Sequence, residues 1–341
     1  MSEVKFALLG FGNVGRALAR LLLAKDDELR QRYDLTWRVV GIATQRHGTA
    51  LDPDGIDLGK ALAIVETGET LHQISVGRTP DESVEFIRAS EADVLFENTP
   101  VNYQTGQPAV DHIKAALEAG MHAITANKGP VVHAYRELTE LARSQHRHFF
   151  FESSVMDGAP IFSLWRQSLP ASKLHAFRGV LNSTTNLILT LMEQGSSFHQ
   201  AVSHAQAIGI AETDPSGDTQ GWDAAVKVAA LVTVLMGTPL KPDQVKRQGI
   251  EDLSLEDIAS ACAAGKRWKL ICQAKLDEGT VNATVRPEQI GPEDPLYNVM
   301  GTSSAVTFQS DVLGDLTVME ADPGPHTTAY GLLADCINAV Y

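Results

Sequence analysis

A short apolar run, VKFALL, passes directly into GFGNVG and then into a helical stretch, NVGRALARLLLAKDDELRQRY. Few folds accept that succession. A buried strand has to turn within a few residues and start a helix that packs back along it. Gly10 allows the tight turn, Gly12 keeps the loop bare so that a pyrophosphate reaches the backbone, and Gly15 lets the helix lie close on the strand. The unpaired N–H groups and positive dipole end of the helix then favour phosphate. The spacing predicts a dinucleotide held at Gly10, Gly12, Asn13, Val14 and Gly15. The rival reading is a glycine turn in an α/β protein that binds something else.

The following segments keep the same rhythm. TWRVVGIAT, ADVLFENTP, MHAITAN and HRHFFFES read as further strands, and GQPAVDHIKAALEAG as a helix ending at Gly120. Leu21, Leu22 and Leu23 are expected on the inner side of the first helix. Strands alternating with helices imply α/β architecture, a Rossmann-type doubly wound parallel sheet with helices on both faces. Past about residue 150 the order changes. SKLHAFRGVLN reads as a strand, TTNLILTLMEQG and residues 197–208 as helices, and 222–236 as a nearly all-apolar helix stopped by Gly237. RWKLICQAKLDEGTVNATVRPEQI and SSAVTFQSDVLGDLTVMEA read as antiparallel strand pairs, so the second domain is α+β. A final helix occupies HTTAYGLLADCINAVY.

Charge and cysteine usage exclude several partners. With 28 Lys and Arg against 42 Asp and Glu, the net charge is -14, so the basic footprint that nucleic acid or an anionic membrane needs is missing. Three cysteines without a CxxC pair argue against a disulfide framework or structural zinc. No apolar run is long enough to span a bilayer, and MSEVKFALLGFG moves at once into a strand rather than a signal peptide. A cytoplasmic location is expected.

The candidate chemistry lies at strand ends and on one helix. After the second strand, GIATQRHG supplies Arg46 and no acid for a ribose hydroxyl, which favours NADP over NAD. Ligands of such sheets sit beyond the strands' carboxyl ends, which places Asn98, Thr99 and Pro100 near a nicotinamide and Lys128 of TANKGP on the same rim. Asp223 and Lys227 stand four residues apart, one above the other on the apolar helix. A solvated ion pair is a poor account of them, because the same face continues into Ala230, Leu231 and Val234. A buried ammonium needs a partner, and a lysine so held suits acid–base work. Reduction of an aldehyde by hydride requires an acid to protonate the developing alkoxide. Glu212 and Asp218, just upstream, suit the α-ammonium of an amino-acid-derived aldehyde.

GFGNVG, ITANKGP, FESSVMDGAP, GVLNSTTN and above all GIAETDPSGDTQGWDAAVKV make the chain resemble the homoserine dehydrogenases over nearly its whole length. The resemblance implies reversible reduction of L-aspartate 4-semialdehyde to L-homoserine with NADP, or alternatively NAD, on the route to threonine and methionine. It implies Lys227 as proton donor with Asp223 beside it, Lys128 at the reacting oxygen, and Glu212, Asp218 and Thr184 around the substrate. Thr99, Pro100, Lys128 and Gly324 would line the cofactor. Members of the family can hold sodium at a loop matching Glu152, Val155, Asp157 and Ala159. The implied division is a dinucleotide-binding domain of residues 1–150 and 320–341, and a catalytic and dimerisation domain of residues 151–319, assembled as a homodimer. Ser183, Gly217, Ile210 and Asp157 depart from the family's usual residues. The chain stops at Tyr341, so the C-terminal regulatory domain of many relatives is not expected. Two other readings are another NAD(P)-dependent dehydrogenase of an amino-acid-like substrate and an inactive nucleotide-sensing regulator.

Overall fold

The computed structural model describes residues 3–341, which divide into two units, one running to Gly158 and resuming over Gly324–Tyr341, the other Ala159–Pro323. In the first, β1 (Val4–Leu9) buries its last four residues and turns through Gly10, at φ +94°, into α1 (Asn13–Tyr33). α1 buries Gly15, Leu18, Ala19, Leu22 and Leu29, an i, i+3, i+4, i+7 stripe. Leu21 and Leu23 do not both join it: Leu21 is half-buried and Leu23 is 48% exposed. Three successive helical residues span roughly 200° of arc, too wide for one buried face.

The sheet continues with β2 (Trp37–Thr44), β3 (Gly48–Leu51), β4 (Val94–Glu97), β5 (His122–Thr125) and β6 (Phe149–Phe150). α2 (Leu58–Glu66), α3 (Ser83–Ser90), α4 (Ala109–Glu118) and α5 (Lys128–Ser144) intervene. The order is β3-β2-β1-β4-β5-β6, parallel except for β3, which returns antiparallel on β2. That hairpin is absent from the sequence expectation. It closes because Gly48 takes φ +73° and the Thr44 hydroxyl accepts from the backbone N–H groups of Arg46 and His47.

The second unit is built on β7 (Leu174–Val180), β8 (Lys246–Arg247), β9 (Arg267–Asp277), β10 (Thr280–Ile290), β11 (Ser304–Ser310) and β12 (Asp315–Glu320). Its order is β12-β11-β7-β9-β10-β8, antiparallel except where β8 joins β10. β9 and β10 form the expected hairpin, with Glu278 and Gly279 both at positive φ, as a two-residue I′ turn demands. α6 (Ser183–Glu193), α7 (Phe198–Ala207), α8 (Ser216–Thr219), α9 (Trp222–Leu235) and α10 (Leu255–Ala263) complete the unit. α9 is buried from Asp223 to Val226 and from Val228 to Thr233. The chain then returns to the first unit as α11 (Pro325–Val340), whose Ala329, Leu332, Leu333 and Cys336 share a core with Leu18, Leu22 and Leu29 of α1. Among the described residues no helix is long and apolar enough to cross a membrane.

The glycines of the first turn serve different ends. A Cβ on Gly15 would stand 2.3 Å from the Gly10 carbonyl oxygen, whereas one on Gly12 would meet nothing within 4 Å. Gly15→Ala is expected to lose about 1–3 kcal/mol by forcing α1 off the strand turn. Gly12→Ala should stay within about 0.5 kcal/mol of the parent. Urea unfolding of the two variants checks the contrast.

Candidate active site

In the first unit, functional groups gather at the carboxyl ends of β1, β2, β4 and β5. Gly12 is the N-cap of α1 and supplies no side-chain cap, so the first-turn N–H groups depend on another partner. Asn13 is exposed and Val14 half-buried beside it. The Arg16 guanidinium folds back over the turn, donating to Gly12 O and Asn13 Oδ1. Sequence reasoning missed Arg16; an arginine one turn into a phosphate-type helix was the available signal. Arg46 is exposed on the turn after β2. After β4, Asn98 presses its carbonyl oxygen to within 2.4 Å of where a Gly10 Cβ would stand. Its side-chain Oδ1 and Nδ2 are shielded from water and have no partner among the described residues. A bare glycine turn, uncapped N–H groups and an orphaned amide fit a phosphate-bearing ligand.

Lys128 opens α5, half-buried, directly after the capping residue Asn127, whose Oδ1 accepts from Gly129 N. Thr99 and Pro100 stand on the neighbouring rim and both accept from Asn127 Nδ2, at 3.1 and 3.4 Å. Gly324 caps α11 in an extended conformation, φ -174°. Glu152 is buried, and its backbone N–H donates to Asp335. The Asp157 carboxylate accepts from the Thr328 hydroxyl. Val155 is buried within the first unit, and Ala159, whose carbonyl accepts from Ile161, is the first residue of the second. Among the described residues no group of three or more His, Cys, Asp or Glu could hold a metal.

In the second unit the ammonium of Lys227 stands 2.6 Å from Leu181 O and 3.3 Å from Asp223 Oδ2. Both side chains are largely buried, 14% and 10% exposed. Asn182, the N-cap of α6, ties the group together. Its Nδ2 donates to Asp218 at 2.6 Å and to Asp223 at 3.0 Å, while its Oδ1 accepts from Thr185 N. Thr184 follows on the first turn of α6, its hydroxyl shared between Ile210 O and the Asp218 carboxyl. Cys272 of β9 is also within the field of Lys227 and Asp223, and burial pushes its thiol up to about 12, so it stays protonated. Glu212 stands on the exposed segment before α8, where its carbonyl accepts from Gln206. The sequence reading brought Asp218, Asp223 and Lys227 together. It did not foresee the Asn182 bridge, although an Asn directly before STTN carries a helix-cap signal.

A glycine turn suited to a dinucleotide in one unit and an ammonium among carboxylates in the other are parts of a nicotinamide-dependent dehydrogenase. Residues 10–152 match the family model for the homoserine dehydrogenase NAD binding domain, and residues 160–337 match that for homoserine dehydrogenase. An NAD(+)-dependent homoserine dehydrogenase of Pseudomonas canavaninivorans is 37% identical, covering 99% of this chain and 96% of that one. A homoserine dehydrogenase of Methanocaldococcus jannaschii is 38% identical over 97% of each. The crystal structure of homoserine dehydrogenase from Thermoplasma acidophilum aligns with TM-score 0.83 at 26% identity over 99% of both chains. The chain belongs to the homoserine dehydrogenase family, an oxidoreductase family with a Rossmann-type NAD-binding domain.

The carboxyl of Asp218 is held above the usual carboxylate range, first by burial and then by the charge of Asp223; hydrogen bonds from Asn182 and Thr184 and the charge of Lys227 oppose this. A group whose folded pKa exceeds its unfolded one contributes stability at low pH and loses it as pH rises through the folded value. Ionised Asp218 therefore weakens the fold at neutral pH. Asp218→Asn keeps an acceptor for Asn182 and should raise the thermal midpoint near neutral pH. The gain should shrink as pH falls toward the ordinary carboxylate range, as followed by calorimetry across pH.

Proposed function

We propose that the chain catalyses reversible reduction of L-aspartate 4-semialdehyde to L-homoserine, on the route to threonine and methionine. The observation that carries this reading is the Lys227 ammonium, held on an apolar helix by Leu181 O and Asp223. Of its three N–H groups, two are directed to those partners, and the third is the one to meet a substrate oxygen. A bound nicotinamide dinucleotide supplies the hydride that reduces the aldehyde carbon. Lys227 gives its proton to the oxygen that becomes the alcohol and is reprotonated from solvent. Asp223 and the Leu181 carbonyl hold the ammonium in place for that transfer. Lys128, at the start of α5, steadies the same oxygen. Asp218 and Thr184 line the substrate, and Glu212 takes its ammonium group. The family match disfavours an amine-oxidising dehydrogenase, and a sensing regulator would have no use for either lysine.

Gly10, Gly12, Asn13, Val14 and Gly15 would hold the dinucleotide phosphates, and Thr99, Pro100, Lys128 and Gly324 its nicotinamide side. Arg46, with no acid beside it at the end of β2, supports NADP. The NAD(+)-dependent relative supports NAD as the second reading. Glu152, with the carbonyls of Val155, Asp157 and Ala159, is an oxygen set suited to sodium rather than to a transition metal. No step of the reaction is assigned to that ion. A second copy would cover the sheet face of the second unit, a concavity of about 650 Å³ lined by Arg178, Lys275, Thr284 and Thr307. Three free thiols suit the reducing conditions of the cytoplasm.

Lys227→Ala should lower kcat by about 10² or more with the fold retained, the scale of lost acid–base catalysis. A folded variant with near-parental kcat, assayed at the nicotinamide absorbance band with homoserine and with aspartate semialdehyde, would remove Lys227 from the reaction. Arg46→Ala should weaken NADPH about 10- to 150-fold, the loss of one charge-assisted contact, and leave NADH nearly unchanged. Equal harm to both cofactors, or a parent enzyme that prefers NADH, makes Arg46 a bystander.

A further inference from the structure

Glu97, the last residue of β4, is fully buried. A carboxylate in that position is expensive unless every lone pair is used. Its Oε1 accepts from the backbone N–H of Thr99 at 3.1 Å and from the Thr99 hydroxyl. Its Oε2 accepts from the Thr125 hydroxyl at 2.8 Å. His112 of α4, also buried, brings Nδ1 to 3.5 Å from Oε1. These partners come from two different strand ends and from α4.

The Thr125 hydroxyl has one hydrogen and faces two Glu97 oxygens, Oε2 and the backbone carbonyl, each at 2.8 Å, so that hydrogen is given toward Glu97. That leaves the Thr125 oxygen to accept, and the backbone N–H of Asn127 donates to it at 2.9 Å. Asn127 in turn spends Oδ1 on Gly129 N and Nδ2 on Thr99 O and Pro100 O. An unbroken set of hydrogen bonds therefore runs from Glu97 through both rims and closes around the first turn of α5, where Lys128 begins. A glutamine at 97 keeps one acceptor for Thr99 but turns its amide N–H groups toward Thr125, leaving that hydroxyl only the backbone carbonyl to give to.

We propose that Glu97 is a positioning residue for the reaction: through Thr125 and Asn127 it fixes the start of α5 against the Thr99–Pro100 rim, and so fixes where Lys128 meets the substrate oxygen. The proposal rests on the role given to Lys128 above. A residue that only stabilised the fold would act independently of Lys128, and a double-mutant cycle separates the two.

The test compares the full-length enzyme with Thr125→Val, which removes one hydroxyl at nearly constant volume, Thr125→Ser, Lys128→Ala and the Thr125→Val/Lys128→Ala pair. Asn127→Asp, which keeps the cap on Gly129 but loses both Nδ2 bonds, is an independent second probe should Thr125→Val fold poorly. Steady-state kinetics and dinucleotide binding by fluorescence are read for each. Thr125→Val and Asn127→Asp should lower kcat about tenfold, the order expected when a reacting group is misplaced by a fraction of an ångström. In Thr125→Val the dinucleotide Kd should change less than kcat does, and Thr125→Ser should keep the parental kcat. In the Lys128→Ala background Thr125→Val should cost less than about a further twofold. An equal loss in both backgrounds overturns the proposal, as does parental kcat in Thr125→Val when Lys128→Ala is impaired; the second result leaves the role of Lys128 standing. Parental kcat in Lys128→Ala itself would overturn the role of Lys128 and the positioning proposal with it.

Discussion

An ammonium set among apolar side chains is the constraint around which the second unit is organised. Burying Lys227 on α9 costs several kcal/mol unless its charge is met. Asp223 meets it from the preceding turn of the same helix, and Leu181 meets it with a carbonyl from the end of β7. Neither partner has freedom to move. Asp223 is locked by its place on the helix, and Leu181 is followed at once by Asn182, whose side chain caps α6 and bridges Asp218 to Asp223. Strand end, helix start and the short helix of Asp218 are therefore brought to one point by the needs of one cation.

The same arrangement explains why two carboxylates tolerate each other there. Asp218 and Asp223 share the Asn182 amide, which offers each a hydrogen. Burial first, and the charge of Asp223 second, raise the pKa of Asp218. A site of this kind stores unfavourable electrostatics, and the packed α9 core makes it tolerable.

The first unit works by removing side chains rather than by burying charge. Its phosphate-type turn is bare backbone, held in shape by contacts that forbid a Cβ at Gly10 and Gly15 but not at Gly12. At the neighbouring rims the buried Glu97 accepts from Thr99 and Thr125, and Thr125 accepts in turn from Asn127. Bare backbone at one strand end and a directional hydrogen-bond set at the next leave the rim open to a ligand without leaving it loose.

What the sequence determined by itself is whatever neighbouring residues decide together. The glycine spacing after an apolar strand, the alternation of strands and helices, and the i, i+4 relation of Asp223 to Lys227 are local facts, and helix and strand geometry carry them into three dimensions unchanged. Tertiary structure decided the rest, because the partners are remote in sequence. The antiparallel β3 arises from a turn whose Thr44 hydroxyl binds backbone N–H groups that no periodicity marks. Of the three adjacent leucines of α1 only Leu22 is fully buried, in a core that α11 helps to form. Asn182 reaches Asp223 across 41 residues and Glu97 reaches Thr125 across 28. A carboxylate at the end of an apolar strand signals in sequence only that something must satisfy it; which hydroxyl does so is fixed when the strands lie side by side.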